Sequence, residues 1–168
     1  MTARIVLVGA PGVGKTTIGR ALAAALDVEF RDVDDLIATM SGEPCASLLR
    51  TQGEAAFRAA EASALATALA DDAAGVVATG GGAVETASSR ALLADEPLVI
   101  QLTASPAILL ARLGDGDRPL LESPSLEGLI QLVERRAELY AEVADASVDA
   151  SAPVEDVVAT IVAIAVPA

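Results

Sequence analysis

Several residue types that proteins commonly use for catalysis or for cross-links are rare or missing in this sequence. Its 168 residues include no histidine and a single cysteine, Cys45. A lone cysteine excludes an internal disulfide and is expected to be a structural thiol, and the lack of histidine argues strongly against a zinc site. Because histidine is also the commonest general base, a base in this protein is a carboxylate, or there is none.

Charge and hydropathy exclude further classes of protein. The formal net charge of −13 argues against nucleic acid as a partner, because binding to a phosphate backbone depends on clustered cations. Hydrophobic residues make up 53% of the chain, yet no stretch approaches the roughly 18 uninterrupted apolar residues of a membrane span. The N-terminus lacks the layout of a signal peptide. We therefore expect a cytoplasmic protein that binds neither nucleic acid nor a membrane, and a monomer because no large exposed apolar face is evident.

Apolar runs typical of buried strands alternate along the chain with segments typical of helices. The length fits one domain. Strands are predicted at residues 4–8, 28–31, 76–79, 98–102 and 146–149. Helices are predicted at residues 15–26, 34–40, 46–51, 54–69, 87–94, 105–113, 126–143 and 153–165. The alternation favours a three-layer α/β/α fold with a central five-stranded parallel sheet.

A glycine-rich loop separates the first predicted strand from the first helix. Residues 9–17 read GAPGVGKTT, a spacing that lets backbone N–H groups and the positive end of the next helix bind phosphate. Lys15 is the only lysine in the chain and is expected to reach the β- and γ-phosphates, with the Thr16 hydroxyl on Mg²⁺. The alternative is a turn with a solvated lysine. The predicted nucleotide contacts in this loop are Gly12, Val13, Gly14, Lys15, Thr16 and Thr17.

Two acidic residues follow the second predicted strand. Ligands of open α/β sheets bind at the carboxyl ends of the strands, so Asp32 and Asp34 should lie on the same side as the phosphate loop. Asp32 is a candidate metal ligand that acts through a water molecule. Asp34 can accept a hydrogen bond from a substrate hydroxyl, orient the attacking oxygen and take its proton. The alternative is that Asp34 only caps its helix.

The residue inventory narrows the class of phosphate-binding protein. GTP switches read their base with an Asn-Lys-x-Asp-like motif, and protein kinases need an asparagine on the second metal. This chain has no asparagine and no second lysine, so both classes are excluded. A motor ATPase would place an aspartate after a strand, but the strand at 76–79 runs into Gly80, Gly81 and Gly82.

Further motifs follow the phosphate loop in a characteristic order. They are Asp32-x-Asp34, Arg58-x-x-Glu61, the triplet Gly80-Gly81-Gly82, Arg118-Pro119-Leu120-Leu121, and Arg136 four residues before Tyr140. With the phosphate loop, this order resembles the shikimate kinases over nearly the whole chain. The resemblance implies magnesium-dependent transfer of the ATP γ-phosphoryl group to the 3-hydroxyl of shikimate, in the pathway to chorismate and the aromatic amino acids. It also implies one P-loop kinase domain over residues 1–168, with a substrate-binding segment at about 33–61 and a lid at about 112–124.

The chemistry of shikimate, a small ring with one carboxylate and three hydroxyls, assigns roles to these residues. Arg58 and Arg136 can hold the carboxylate through paired hydrogen bonds. Residues 80–82 can bring backbone N–H groups close to the substrate, since glycine lacks Cβ. Arg118, in the lid, can neutralise charge on the transferring phosphoryl group. The predicted catalytic residues are Lys15, Asp34 and Arg118.

Each of these roles has a plainer alternative. Arg58 can instead pair with Glu54 or Glu61 on its own helix. The glycine triplet can be only a tight turn, and Arg118 an exposed loop charge. Arg136 has a second arginine, Arg135, as its neighbour.

The predicted contacts with adenine depart from the family pattern. Residues 150–153 read ASAP, without the polar residue that many members place beside the base, although Pro153 remains. Asp115 and Asp117 make the segment before Arg118 acidic. We expect a weak contact with the base, with Arg112 as the residue that stacks on adenine.

Two other functions stay open at this point. One is a kinase for another small polyhydroxy acid such as gluconate, which would make similar demands on the site. The other is a nucleotide-binding regulatory protein that has lost turnover.

Overall fold

The computed structural model describes residues 3–114 and 125–166 of the chain. The five strands of the described sheet are β1 (Ile5–Gly9), β2 (Glu29–Asp32), β3 (Ala74–Ala78), β4 (Val99–Thr103) and β5 (Ala146–Asp149). The helices are α1 (Lys15–Leu26), α2 (Val33–Ser41), α3 (Cys45–Ala70), α4 (Ala87–Ala94), α5 (Pro106–Leu113), α6 (Leu126–Val143) and α7 (Val154–Ala165), with a 3₁₀ helix at Ala83–Glu85. Within the described ranges, no helix combines the length and apolar character needed to cross a bilayer.

All five strands run parallel in the order β2-β3-β1-β4-β5. The central strand β1 is buried along its whole length, and Val6 lies opposite Val77 of β3 and Val99 of β4. The chain leaves β1 for β2 and β3 on one side and later returns to β4 on the other. The carboxyl end of β1 is therefore the point where the strand order switches, which is where such sheets bind ligands.

Alternate side chains of β1 enter separate apolar clusters on the two faces of the sheet. Ile5 and Leu7 belong to a cluster that includes residues of α1, α5 and α7. Val6 and Val8 belong to a second cluster with residues of α2, α3 and α4. Because successive side chains of a strand point to opposite faces, these clusters are the two helical layers. The predicted three-layer fold is confirmed.

The two helices predicted at 46–51 and 54–69 lie end to end within α3, which bends at Gly53. That residue has φ 84° and ψ 172°, a conformation that favours glycine. The predicted break at residues 52–53 is therefore in the right place. The 3₁₀ helix Ala83–Glu85 was not predicted.

Candidate active site

The phosphate loop joins β1 to α1 at the switch point of the sheet. Gly12 and Gly14 have φ of 80° and 107°, in the region that L residues with side chains rarely adopt. The buried side chain of Lys15 turns back over the loop, and its Nζ donates to the carbonyl oxygens of Gly9 at 2.8 Å and Ala10 at 3.1 Å. The ammonium group is thus already held above the loop.

Asp32 connects the phosphate loop to the start of α2. Its Oδ2 accepts from the Thr16 hydroxyl at 2.6 Å, and its Oδ1 accepts from the backbone N–H of Asp34 at 2.9 Å. Asp32 is therefore the N-cap of α2. The alternative that Asp34 caps this helix is wrong. Asp34 lies in the first turn of α2, and its side chain lines the central cavity.

Thr16 and Asp32 form a pair of oxygen donors beside the phosphate loop. No group of three or more acidic, histidine or cysteine side chains that could hold a metal by themselves occurs in the described part of the chain. Magnesium commonly binds through one or two protein oxygens together with substrate phosphates and water. The donor set therefore fits a magnesium ion that arrives with a nucleotide.

A cavity of about 710 Å³ extends from the phosphate loop across the carboxyl edge of the sheet. One end is lined by the loop, Arg112, Ala152 and Val154. The other end is lined by Asp34, Arg58, Glu61 and Arg136, with Gly81, Gly82 and Cys45 nearby. The cavity thus has a phosphate-binding end and an end with two guanidinium groups.

Arg58 lies on α3 between two carboxylates. Its Nη1 donates to Glu61 at 2.8 Å, and its Nη2 donates to Glu85 at 2.8 Å. Glu54 is farther away, 3.7 Å from Nη2, with a side chain 63% exposed. Arg58 does pair with Glu61 on its own helix, but Glu61 is buried, so this is not the solvated pair of the alternative interpretation.

Arg136, not Arg135, points into the site from α6. Its side chain is 5% exposed, whereas that of Arg135 is 65% exposed. Arg136 Nε donates to Glu85 Oε1 at 2.9 Å, and its Nη1 donates to the Gly81 carbonyl at 2.7 Å. The same carbonyl accepts from the Tyr140 hydroxyl at 3.0 Å, which explains the spacing of four residues on α6.

The glycine triplet packs against the functional side chains without room for Cβ atoms. A Cβ on Gly80 would overlap Glu61 and lie 3.1 Å from Asp34 Oδ1. A Cβ on Gly82 would overlap the Arg58 guanidinium, and one on Gly81 would lie 2.8 Å from Pro11 Cγ. The triplet is therefore more than a tight turn.

Burial and charge shift the titration of several groups at this end of the cavity. Burial raises the pKa of Glu61 above its usual value, although the adjacent Arg58 opposes the shift. For Glu85, burial also acts upward, but the hydrogen bond and charge of Arg136 outweigh it and lower the pKa. Burial, followed by the charge of Asp34, raises the pKa of the Cys45 thiol to about 12. Cys45 is therefore protonated at neutral pH and is not a nucleophile.

Arg112 connects the two loops at the nucleotide end. It donates from Nη1 to the Val13 carbonyl at 3.0 Å and from Nη2 to the Ala150 carbonyl at 2.8 Å. Pro153 immediately precedes α7, between Ala152 and Val154. Arg118 and the acidic residues Asp115 and Asp117 lie outside the described residues.

Sequence reasoning missed Glu85 and the roles of the Gly81 carbonyl and the Tyr140 hydroxyl. Glu85 contacts Arg58 and Arg136, which lie 27 and 51 positions away from it in the sequence. Its one local signal is its place three residues after the glycine triplet.

Fold and site together define a P-loop kinase for small molecules. The sequence model of the family described as shikimate kinase matches residues 11–165. A shikimate kinase of Salinispora tropica is 47% identical over 144 residues, 85% of each chain. A solved structure of shikimate kinase from Acinetobacter baumannii in complex with shikimate is 34% identical, with a TM-score of 0.91 over 98% of this chain and 93% of that one.

The chain belongs to the shikimate kinase family. Its members are kinases that transfer the ATP γ-phosphoryl group to the 3-hydroxyl of shikimate, in the pathway to the aromatic amino acids, and use a divalent metal with ATP. A gluconokinase of Sinorhizobium meliloti also matches, with a TM-score of 0.61 over 98% of this chain and 94% of that one. At 22% identity, that likeness shows the fold alone.

Proposed function

We propose that this chain binds ATP with Mg²⁺ at its phosphate loop and shikimate at the arginine end of the cavity, and phosphorylates the 3-hydroxyl. The observation that carries the proposal is the pair Arg58 and Arg136, whose guanidinium groups line one end of a cavity that begins at the phosphate loop. Two guanidinium groups suit one small carboxylate. The nucleotide end supplies the phosphoryl group.

At the nucleotide end, the backbone N–H groups of residues 12–17 hold the phosphates, and Lys15 moves from the loop carbonyls to the β- and γ-phosphates. Thr16 would hold Mg²⁺ through its hydroxyl oxygen, and Asp32 would hold it through a water molecule. When bound with ATP, Mg²⁺ neutralises charge on the β- and γ-phosphates. Arg112 and Pro153 flank the adenine.

At the acceptor end, Asp34 orients the 3-hydroxyl. The hydroxyl oxygen attacks the γ-phosphorus, the bond from that phosphorus to ADP breaks, and the hydroxyl proton passes to Asp34. Backbone N–H groups of Gly80, Gly81 and Gly82 contact the ring substituents. Arg118 neutralises charge on the transferring group. The enzyme works as a monomer in the cytoplasm.

Arginine-to-lysine changes at two neighbouring positions of α6 test the acceptor site. Arg136→Lys keeps the charge but cannot form paired hydrogen bonds with a carboxylate. It should raise KM for shikimate about tenfold or more, since one charge-assisted hydrogen bond contributes roughly 1.5–3 kcal/mol, while KM for ATP stays the same. The matched control is Arg135→Lys, whose side chain is 65% exposed. Equal effects of the two changes on KM for shikimate would contradict the assignment.

A further inference from the structure

Glu85 hydrogen-bonds both arginines but is not among the described residues that line the cavity. It ends the 3₁₀ helix Ala83–Glu85, directly after the glycine triplet. Its Oε2 lies 2.8 Å from Nη2 of Arg58, and its Oε1 lies 2.9 Å from Nε of Arg136. One carboxylate therefore fixes the spacing between guanidinium groups that come from two different helices, α3 and α6.

Because Glu85 does not line the cavity, it can support the two arginines without taking the place of a ligand. Among the described residues, those that line the cavity include Arg58, Glu61 and Arg136 but not Glu85. Each guanidinium has five N–H donors. Arg58 uses two of them on Glu61 and Glu85, and Arg136 uses two on Glu85 and the Gly81 carbonyl. The arginines can therefore hold Glu85 and still present other N–H groups to a ligand in the cavity.

We propose that Glu85 is a positioning residue for the acceptor, which aligns Arg58 and Arg136 so that both bind the same substrate carboxylate. The inference rests on the proposed function, because it assigns these arginines to shikimate. Without Glu85, Glu61 would still pair with Arg58. No carboxylate among the described residues would then bridge Arg58 to Arg136 and offset the repulsion between their charges. Arg136, which is 4% exposed, would also lose the carboxylate that its Nε contacts.

The negative charge of Glu85 also has an opposing effect, because it repels an incoming carboxylate. Its side chain is 24% exposed, so water screens that charge. The hydrogen bonds to Arg58 and Arg136 are short and directional. We therefore expect alignment to outweigh repulsion.

The test compares Glu85→Gln with Glu54→Gln as a matched control. Both changes remove one negative charge near Arg58, but Glu54 is 3.7 Å away and 63% exposed. Glu85→Gln should raise KM for shikimate, and the calorimetric Kd for shikimate, about tenfold, which corresponds to about 1.4 kcal/mol. The turnover number and KM for ATP should stay within about twofold, and Glu54→Gln should match the unaltered chain. Glu85→Asp keeps the charge but is too short to reach both arginines, so its effect should be intermediate.

A double-mutant cycle adds a readout that general destabilisation would not give. In an Arg136→Lys background, Glu85→Gln should cost less shikimate affinity than it does alone, because residues that act through one another are not additive. Full additivity would overturn the inference. An unchanged or lowered KM for shikimate in Glu85→Gln would also overturn the inference. A lowered KM would mean that repulsion by the Glu85 carboxylate dominates.

The role of Glu85 and the proposed function can be refuted separately. If the unaltered chain turns over shikimate and Glu85→Gln equals it, the role of Glu85 alone is refuted. If the unaltered chain neither binds nor phosphorylates shikimate, the proposed function fails and this inference fails with it. A parallel loss of turnover, ATP affinity and thermal stability in Glu85→Gln and Glu85→Asp would make Glu85 a residue of the general fold, which also refutes the proposal.

Discussion

Asp34→Asn separates catalysis from folding at the most informative position of the site. Asparagine keeps the size of the side chain but cannot take a proton, and it brings an amide donor toward a hydroxyl that needs an acceptor. Loss of a positioned general base costs about a hundredfold or more in turnover. We therefore expect kcat to fall by at least about a hundredfold while the Kd for ATP is unchanged.

The effect of Asp34→Asn on stability is small by the same structural argument. Asp32, not Asp34, accepts the capping hydrogen bond of α2, so the change leaves the cap intact. Among the interactions lost is that of the carboxylate with the helix dipole, which contributes about 0.3–1 kcal/mol at an exposed site. For a protein of this size that lowers Tm by at most about 4 °C.

Steady-state kinetics measured together with a thermal melt separate a catalytic role of Asp34 from a structural one. A stable Asp34→Asn protein with near-normal turnover would refute the catalytic role. Asp34→Ser is the control, because serine can accept a hydrogen bond but is not a carboxylate base, and it should lose turnover equally. If Asp34→Ser retained turnover while Asp34→Asn lost it, hydrogen-bond acceptance rather than proton transfer would be the function of Asp34.

Three further changes test other parts of the site. Lys15→Ala should lower kcat at least about a hundredfold and weaken ATP binding, because the chain has no other lysine. A coupled assay measures kcat and calorimetry measures the Kd for ATP. Retained turnover would contradict the loop assignment. Gly81→Ala places a Cβ 2.8 Å from Cγ and 3.2 Å from the backbone nitrogen of Pro11. It should lower the free energy of unfolding by about 1–3 kcal/mol and raise KM for both substrates. An unchanged Tm would refute this expectation. The folded-state pKa of Glu85 is lowered from 4.5, so its stabilisation is present above that value and is lost as pH falls through the folded pKa. Glu85→Gln should therefore melt at a lower temperature than the unaltered chain at pH 7, and the difference should close as the pH falls below 4.5 through the folded-state pKa of Glu85. A difference that stays constant with pH would refute this linkage.

The fold was predictable from the sequence because its signals are local. The bounds of α1 agree with the prediction at both ends. The helix begins in the phosphate loop and ends at Leu26, before the C-cap residue Asp27, whose φ of 54° is left-handed. The bend in α3 follows from one glycine, Gly53. Apolar runs identified β1, β3 and β4, whereas β2 and β5 were predicted from mixed segments at residues 28–31 and 146–149.

The contacts of the site were less predictable because they are not local. Two carboxylates two residues apart, Asp32 and Asp34, are both reasonable helix caps, and only the extended backbone of Asp32 decides between them. Neighbouring arginines 135 and 136 look equivalent until the orientation of α6 is known. Beyond its place after the glycine triplet, Glu85 has no local pattern, since its partners Arg58 and Arg136 lie on other helices.

A coupled ADP-release assay with purified protein, ATP and Mg²⁺ tests the central claim most directly. Three reactions are run side by side, with shikimate, with gluconate and with no acceptor. The account predicts ADP release that depends on shikimate and saturates with it, at least about a hundredfold faster in kcat/KM than with gluconate, because the gluconate chain cannot align its carboxylate and its reacting hydroxyl as a rigid ring does. Preference for gluconate, or ADP release at the same rate with no acceptor, would contradict it.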